Sequence, residues 1–480
     1  MGDWSKSVKV LVFLFLVTLL FVNPWVRGDG VGYYSYVRSL LIDGDLNFEN
    51  EWRAGNTTFI LPKLDEQVRL RQDVFTATGR VDNHFSVGPA ILWAPFLILV
   101  HLAVFALNAM GAAVPADGYS APYVWTMGFA TALYGFLGLC LAFALAREYV
   151  EERWAFLATL GIWFGSSLPV YMYFNPSWSH AHGAFAVALF LWYWQRTRNA
   201  RSALQWITLG LLAGLMMNVY YPNAVALVVP LLESLNNYWQ RCRGTTNRWA
   251  AAGRLLLGNV LFALATLLAF LPTLVTRKII YGDYLASGYP GAWEWNWTKP
   301  VLAQVLFSSN HGLLSWTPVL LLALLGLPLL AKRDREFGLC LMATFVAFYY
   351  LIASYPTWHG ISAFGNRFFV SLTPLFVLGL AALLQALAGL AGQTRALWTA
   401  AATLALLILW NGGLVFQWGT HMIPPRGPIS WREAAYNQVA VVPVRIWGSM
   451  KSYLLKRRAT MEQIERHDAQ KLYPAQAEEK

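Results

Sequence analysis

What most constrains this chain is a series of apolar stretches that recurs from residue 8 to residue 418. They fall at 8–23, 87–110, 122–146, 154–174, 183–196, 203–218, 223–235, 255–276, 313–331, 337–354, 368–390 and 396–418. Each is near or somewhat below the roughly 20 residues that a helix needs to span a bilayer. Lipid offers backbone groups no hydrogen bonds, so such stretches are helices. The expected fold class is an all-α polytopic membrane protein with about 11–13 transmembrane helices and a first outward loop bearing short surface helices. A composition that is 57% apolar and 13% charged excludes an ordinary soluble globule.

The net charge of +11 would suggest a nucleic-acid partner in a soluble protein. Here the cationic residues sit in short loops between apolar stretches, at 196–201, 241–254 and 332–335, and such loops stay in the cytoplasm. No nucleic acid is expected. Segments 24–85, 175–182, 277–312 and 355–367 then lie outside. A strict count from an inside N-terminus puts 175–182 on the wrong face. Either a stretch between 87 and 182 is broken or re-entrant, or one crossing is missed. The chain divides into a first span (1–23), an outward periplasmic loop with amphipathic helices (24–85), a multi-helix membrane domain (86–418) and a polar C-terminal tail (419–480). Asn23-Pro24-Trp25 is a poor cleavage site, so the first span is expected to remain as an anchor. Cys140, Cys242 and Cys340 have neither the number nor the spacing of a disulfide framework or a zinc site.

In this orientation the polar groups that rarely enter membranes gather on the outer side. His84, His180, His182, His311 and His359 all fall in outer segments, beside aromatic or small residues. A lone histidine is usually structural, whereas several converging loops make a polar pocket at the mouth of a bundle. Asp29 reads two ways. It is a good helix N-cap, and Val31 to Ile42 reads as a short amphipathic helix, with Tyr34 and Arg38 one turn apart on one face, whereas Asp43 to Asp82 has no apolar run long enough to cross and reads as lying on the membrane surface. It is also a candidate general base, because a carboxylate at a helix N-terminus stays ionised and can take a proton from a hydroxyl or amine. Asp43-Gly44-Asp45 reads as a turn; with Asp29 it would make a divalent-cation site for Mg or Mn, though the spacing is generic. Arg367 closes a loop that contains His359, two glycines and a serine. An arginine there often only snorkels, but its fork of donors suits a phosphate. Arg38, Lys63, Arg71 and Lys299 are further candidates for that role.

The order of these features carries a resemblance. One N-terminal span leads to an outward loop that opens with Asp29-Gly30 and Tyr33-Tyr34 before Arg38 and Asp43-Gly44-Asp45, and His84 to Pro95 enters the second span. Gly210 to Asn223, Leu306 to Pro318 and Trp358 to Phe369 extend the pattern along most of the chain. It resembles the C-type (GT-C) membrane glycosyltransferases, and is similar to bacterial protein O-mannosyltransferases and the aminoarabinose transferase of lipid A. The resemblance implies inverting transfer of a sugar from a polyprenyl-phosphate donor to a lipid, glycan or protein acceptor on the outer face of the cytoplasmic (inner) membrane. It puts Asp29 at the catalytic position, with Tyr33, Tyr34, Arg38, the five histidines, Lys299 and Arg367 as substrate-binding candidates. Gly30 replaces the second acidic residue that often follows that aspartate, which leaves metal dependence open. The lack of a large soluble C-terminal domain argues against an oligosaccharyltransferase. Rival readings are a transporter or flippase of a lipid-linked sugar, which would show internal repeats and midplane polar groups, and a non-catalytic assembly subunit.

Overall fold

The computed structural model describes residues 5–198, 200–243, 248–289 and 291–473. No strand occurs among them, only isolated bridges. The helices that matter here begin with α1 (Lys6–Thr18), α2 (Gly30–Arg38), α3 (Gly88–Ala109), α4 (Ala121–Ala146) and α5 (Glu152–Gly165). They continue with α6 (His180–Thr197), α7 (Ala203–Val219), α8 (Val228–Arg243), α9 (Arg248–Tyr281), α10 (Val319–Ala331) and α11 (Arg335–Ser354). The last are α12 (Thr373–Ala391), α13 (Gln393–Gly419), α14 (Val442–Leu455) and α15 (Arg457–Leu472). Among the described residues six helices are long and apolar enough to cross a membrane, and α7 and α10 are shorter apolar ones. The all-α polytopic architecture expected from the apolar series is what the chain adopts.

Without a hydrophobic drive between helices in lipid, close packing decides association, and small residues permit it. A Cβ on Gly326 of α10 would stand 1.7 Å from the carbonyl oxygen of Gly379 on α12. Those two backbones touch because neither residue has a side chain.

The loops sort into two ends. At one, Arg198 pairs with Asp334, Arg333 donates to the carbonyl of Tyr149, and Gln393 Nε2 lies 3.3 Å from Glu151. This is the end that carries the short cationic loops; residues 244–247 of one of them lie outside the described residues. The opposite end gathers residues 24–87, 175–179, 282–312 and 355–366, and α14 and α15 fold back onto it.

Helix α3 explains why the sequence count fails. Trp93 donates to Thr131 at 2.9 Å and His101 meets Tyr123 at 2.6 Å, so α3 runs antiparallel to α4. Tyr123 stands eight residues, about 12 Å of helix, further from the cationic end than Thr131. The start of α3 is tied to α7, where Ser86 Oγ donates to Val219 O at 2.7 Å. Its far loop is held by Tyr34 and Arg38, which donate to the carbonyls of Gly118 and Asp117. Both ends of α3 therefore stay with Asp29, and the expected full crossing at 87–110 is corrected. With α3 removed from the series the alternation closes. Two further stretches are broken: 154–174 at Ser166 to Pro169 before a wide turn, Val170–Phe174, and 313–331 at Thr317-Pro318.

The expected amphipathic helix at Val31 to Ile42 is shorter and buried all round. Val31 to Val37 are buried, and the regular helix stops at Arg38, followed by a wide turn that Gly44 closes at φ 73°. Helix α2 forms a wedge between α3 and the 83–86 turn, where Tyr36 donates to the carbonyl of Asn83 at 3.0 Å.

Candidate functional site

The site starts where α2 starts. Gly28, at φ 53°, turns the chain so that Asp29 precedes the first helical residue. A Cβ on Gly30 would stand 2.0 Å from Ser177 Oγ, and one on Gly32 would stand 1.9 Å from the Phe85 ring. These two glycines let the helix press against the 175–179 and 83–86 segments. Asp29 holds the N-cap position but its side chain caps nothing, so its expected capping bond is absent. Its Oδ2 instead accepts a hydrogen bond from Arg367 Nη1 at 2.6 Å, across 338 residues of chain.

Arg367 opens the 3₁₀ turn Arg367–Leu372 that leads into α12. Its guanidinium carbon lies 4.5 Å from the centre of the Trp178 ring, and its Nε has no hydrogen-bond partner. Trp178 in turn donates from Nε1 to the carbonyl of Arg27 at 2.9 Å. Arg27, Asp29, Trp178 and Arg367 thus form one connected unit. With side-chain exposures of 27% for Asp29 and 11% for Arg367, the pair is half-buried and still reachable.

Several expected residues join this unit. Tyr33 packs on Phe85 with ring centres 4.9 Å apart, and burial and the Asp29 charge keep its hydroxyl protonated well above its usual range. His180 is buried among Tyr171, Trp178 and Tyr220, and its Nδ1 has no partner. His311 takes a left-handed φ of 59° and neither ring nitrogen has a partner. Burial, then the charges of His359 and Arg367, push its pKa down to about 3. His359 accepts from the Ile361 amide at 3.1 Å, and burial and the Arg367 charge lower its pKa. His84 lies further out, 3.3 Å from Asp82 and edge-on to Tyr289.

Others are corrected. Tyr34 spends its hydroxyl on Gly118 at 2.6 Å and packs on Trp93, so it holds the 110–120 loop. Arg38 sits at the other end of α2, about 14 Å of helix from Asp29, paired with Asp43 and with Glu51 at 2.8 Å. Asp43 is taken by Arg38 and Asn50, and Asp45 accepts from Ser39 and the Asn47 amide. The expected metal trio of Asp29, Asp43 and Asp45 therefore does not converge. No group of three or more His, Cys, Asp or Glu fit to hold a metal occurs among the described residues. His182 faces Trp93 and Tyr134 instead of Asp29. Lys299 is exposed in a turn fastened to α11 by the Asn296 amide and Ser354 carbonyl, and Arg71 pairs with Asp73. Among the described residues no hydrogen bond or ion pair joins either to the Asp29–Arg367 pair.

Sequence reasoning missed three residues. Trp178 stands two residues before His180 but offers no charge to draw attention. Arg27 reads as an ordinary flanking cation. Arg277, buried at the end of α9, donates to the carbonyls of Asn83, His84 and Phe85 at 2.8, 2.7 and 3.1 Å, and so clamps the turn behind α2. An arginine at the end of a long apolar helix was its only signal.

No protein-family model matches the chain, and no curated protein matches it. Among solved structures, the chain is similar to ArnT from Cupriavidus metallidurans in the apo state, with 15% identity, a TM-score of 0.47, and coverage of 85% of this chain and 71% of that one. The same enzyme bound to undecaprenyl phosphate gives 16% identity and a TM-score of 0.44 over the same shares. The archaeal oligosaccharyltransferase AglB from Archaeoglobus fulgidus, in complex with an inhibitory peptide and a dolichol-phosphate, gives 13%, 0.47, 87% and 56% respectively. At such values the chemistry of the site rests on its own geometry.

Proposed function

We propose that this chain is a membrane glycosyltransferase that moves a sugar from a polyprenyl-phosphate donor to an acceptor hydroxyl or amine, with inversion at the anomeric carbon. The observation that carries the reading is the Asp29–Arg367 pair. A carboxylate at a helix start that caps nothing meets a guanidinium with an unpartnered Nε, at one end of an apolar bundle. Asp29 takes the acceptor proton as the acceptor atom bonds to the anomeric carbon. The bond from that carbon to the phosphate oxygen breaks, and its electron pair stays on the phosphate. Arg367 meets that charge with the donors that Asp29 leaves free. Trp178 holds the guanidinium plane meanwhile. Apolar helix faces suit the polyprenyl tail while the polar head stays at the bundle end.

In this reading that end faces the outside of the cytoplasmic (inner) membrane, because the cationic loops gather at the other. No divalent cation takes part, since Arg367 already neutralises the carboxylate and Asp43 and Asp45 are engaged elsewhere. A chelator is expected to leave the rate unchanged. A transporter would carry its polar site near the midplane, whereas this ion pair stands at one end. Purified protein is expected to turn over a polyprenyl-phosphate sugar, and Asp29→Asn to lower that rate by about 10²–10⁴-fold. Full activity in a folded Asp29→Asn variant would remove Asp29 from the mechanism.

A further inference from the structure

The C-terminal helix α15 meets the rest of the molecule through its charges. Its buried residues are Met461, Glu465, Asp468 and Ala469. The two carboxylates, three residues apart, share one helix face and close on Arg27. Glu465 Oε1 lies 2.7 Å from Arg27 Nε, and Asp468 Oδ2 lies 2.8 Å from Nη2. Their other oxygens are used as well. Thr58 Oγ1 donates to Glu465 Oε2 at 2.9 Å, and His421 Nε2 meets Asp468 Oδ1. With side-chain exposures of 6% and 9%, both carboxylates are buried. Desolvating charges offsets much of their attraction, so a helix docked this way gains less stability than one docked by an apolar stripe. It gains direction instead, because the hydrogen-bonded Arg27–Asp468 pair fixes one geometry, with Glu465 beside it as an ion-pair contact.

What they fix is Arg27, two residues before Asp29. The Arg27 carbonyl accepts from Trp178 Nε1 and from the Gly30 amide, both at 2.9 Å. The Trp178 ring is the platform under the Arg367 guanidinium. A single residue therefore joins α15, the first turn of α2 and the support of Arg367. Without its carboxylates, the Arg27 guanidinium would be free to compete with Arg367 for Asp29.

We propose that Glu465 and Asp468 are positioning residues: through Arg27 they hold Asp29 and Arg367 in productive register, and α15 is a grip on the catalytic loop. The proposal rests on the transferase reading above. Neither carboxylate touches the pair.

The test uses the purified full chain with the isosteric double substitution Glu465→Gln and Asp468→Asn, alongside Asp468→Glu. Two quantities are followed: transfer kinetics, and hydrogen exchange of backbone amides in residues 24–36. The double variant is expected to lose about 10-fold or more in kcat, as small misplacements of reacting groups do, with little change in the donor KM. Exchange in 24–36 is expected to accelerate, and Asp468→Glu to retain most of the rate. Unchanged exchange in 24–36 overturns the grip, and so does faster exchange with full kcat. A wild-type chain that transfers nothing defeats the transferase reading alone. In that case exchange decides for the grip if faster and against it if unchanged.

Discussion

Arg367 is held by Asp29 on one side and Trp178 beneath, and Gly360 stands behind it, where a Cβ would come within 3.0 Å of its Nε. A lysine there keeps the charge but loses the plane and the fork. Arg367→Lys is accordingly expected to cost about 10²-fold in kcat while the protein stays folded, measured by transfer kinetics beside a thermal melt. Gly32→Ala should act differently, through overpacking against Phe85, and lower stability by about 1–3 kcal/mol in the same melt. Asp29 and Arg367 drew notice in the sequence by their places, Asp29 at the start of a short helix just after the first apolar stretch and Arg367 at the start of another apolar stretch. Tyr34 and Arg38 were misread for a physical reason. Helical spacing says which residues share a face but not which neighbour covers that face, and the loop returning from α3 covers theirs.

At the scale of elements, α2 owes its place to Arg38 as much as to its apolar residues. Arg38 ties it to Glu51, which is fully buried with one carboxylate oxygen unpartnered. Burial pushes the Glu51 pKa up to about 7, against the pull of Arg38. A carboxyl whose folded pKa lies above its unfolded value favours the fold fully below that unfolded value, 4.5, and loses this contribution as pH rises through about 7. Wild type is therefore expected to lose stability relative to Glu51→Gln between about pH 5 and pH 8, by up to about 3 kcal/mol, as read from denaturation at each pH. Equal pH slopes in the two proteins would show that Glu51 does not bear this strain. Helix α3 teaches a different lesson. Its length and apolarity match a spanning helix, and its pairings with α4, Trp93 with Thr131 and His101 with Tyr123, reveal that it runs away from the cationic end. No pattern within α3 itself could have said so. A cysteine introduced at Ala112 should react with a membrane-impermeant thiol reagent from the same side as one at Gly79, and from the opposite side to one at Lys332.

For the whole molecule, the apolar series was enough to fix the helical class and which loops share an end, because lipid leaves the backbone few options. The fold-back of α14 and α15 was not legible, since their polar sequence reads as a tail and Arg27, 441 residues from Asp468, gives no local sign of its partner. The result is a bundle whose one end brings a carboxylate and a guanidinium from distant segments into contact. In the proposed function this contact performs glycosyl transfer. The most direct measurement is sugar transfer from a polyprenyl-phosphate donor by the purified chain, wild type beside Asp29→Asn. Turnover by wild type and a loss of about 10²–10⁴-fold in the folded variant is expected; equal turnover in both would show that Asp29 takes no part in the transfer.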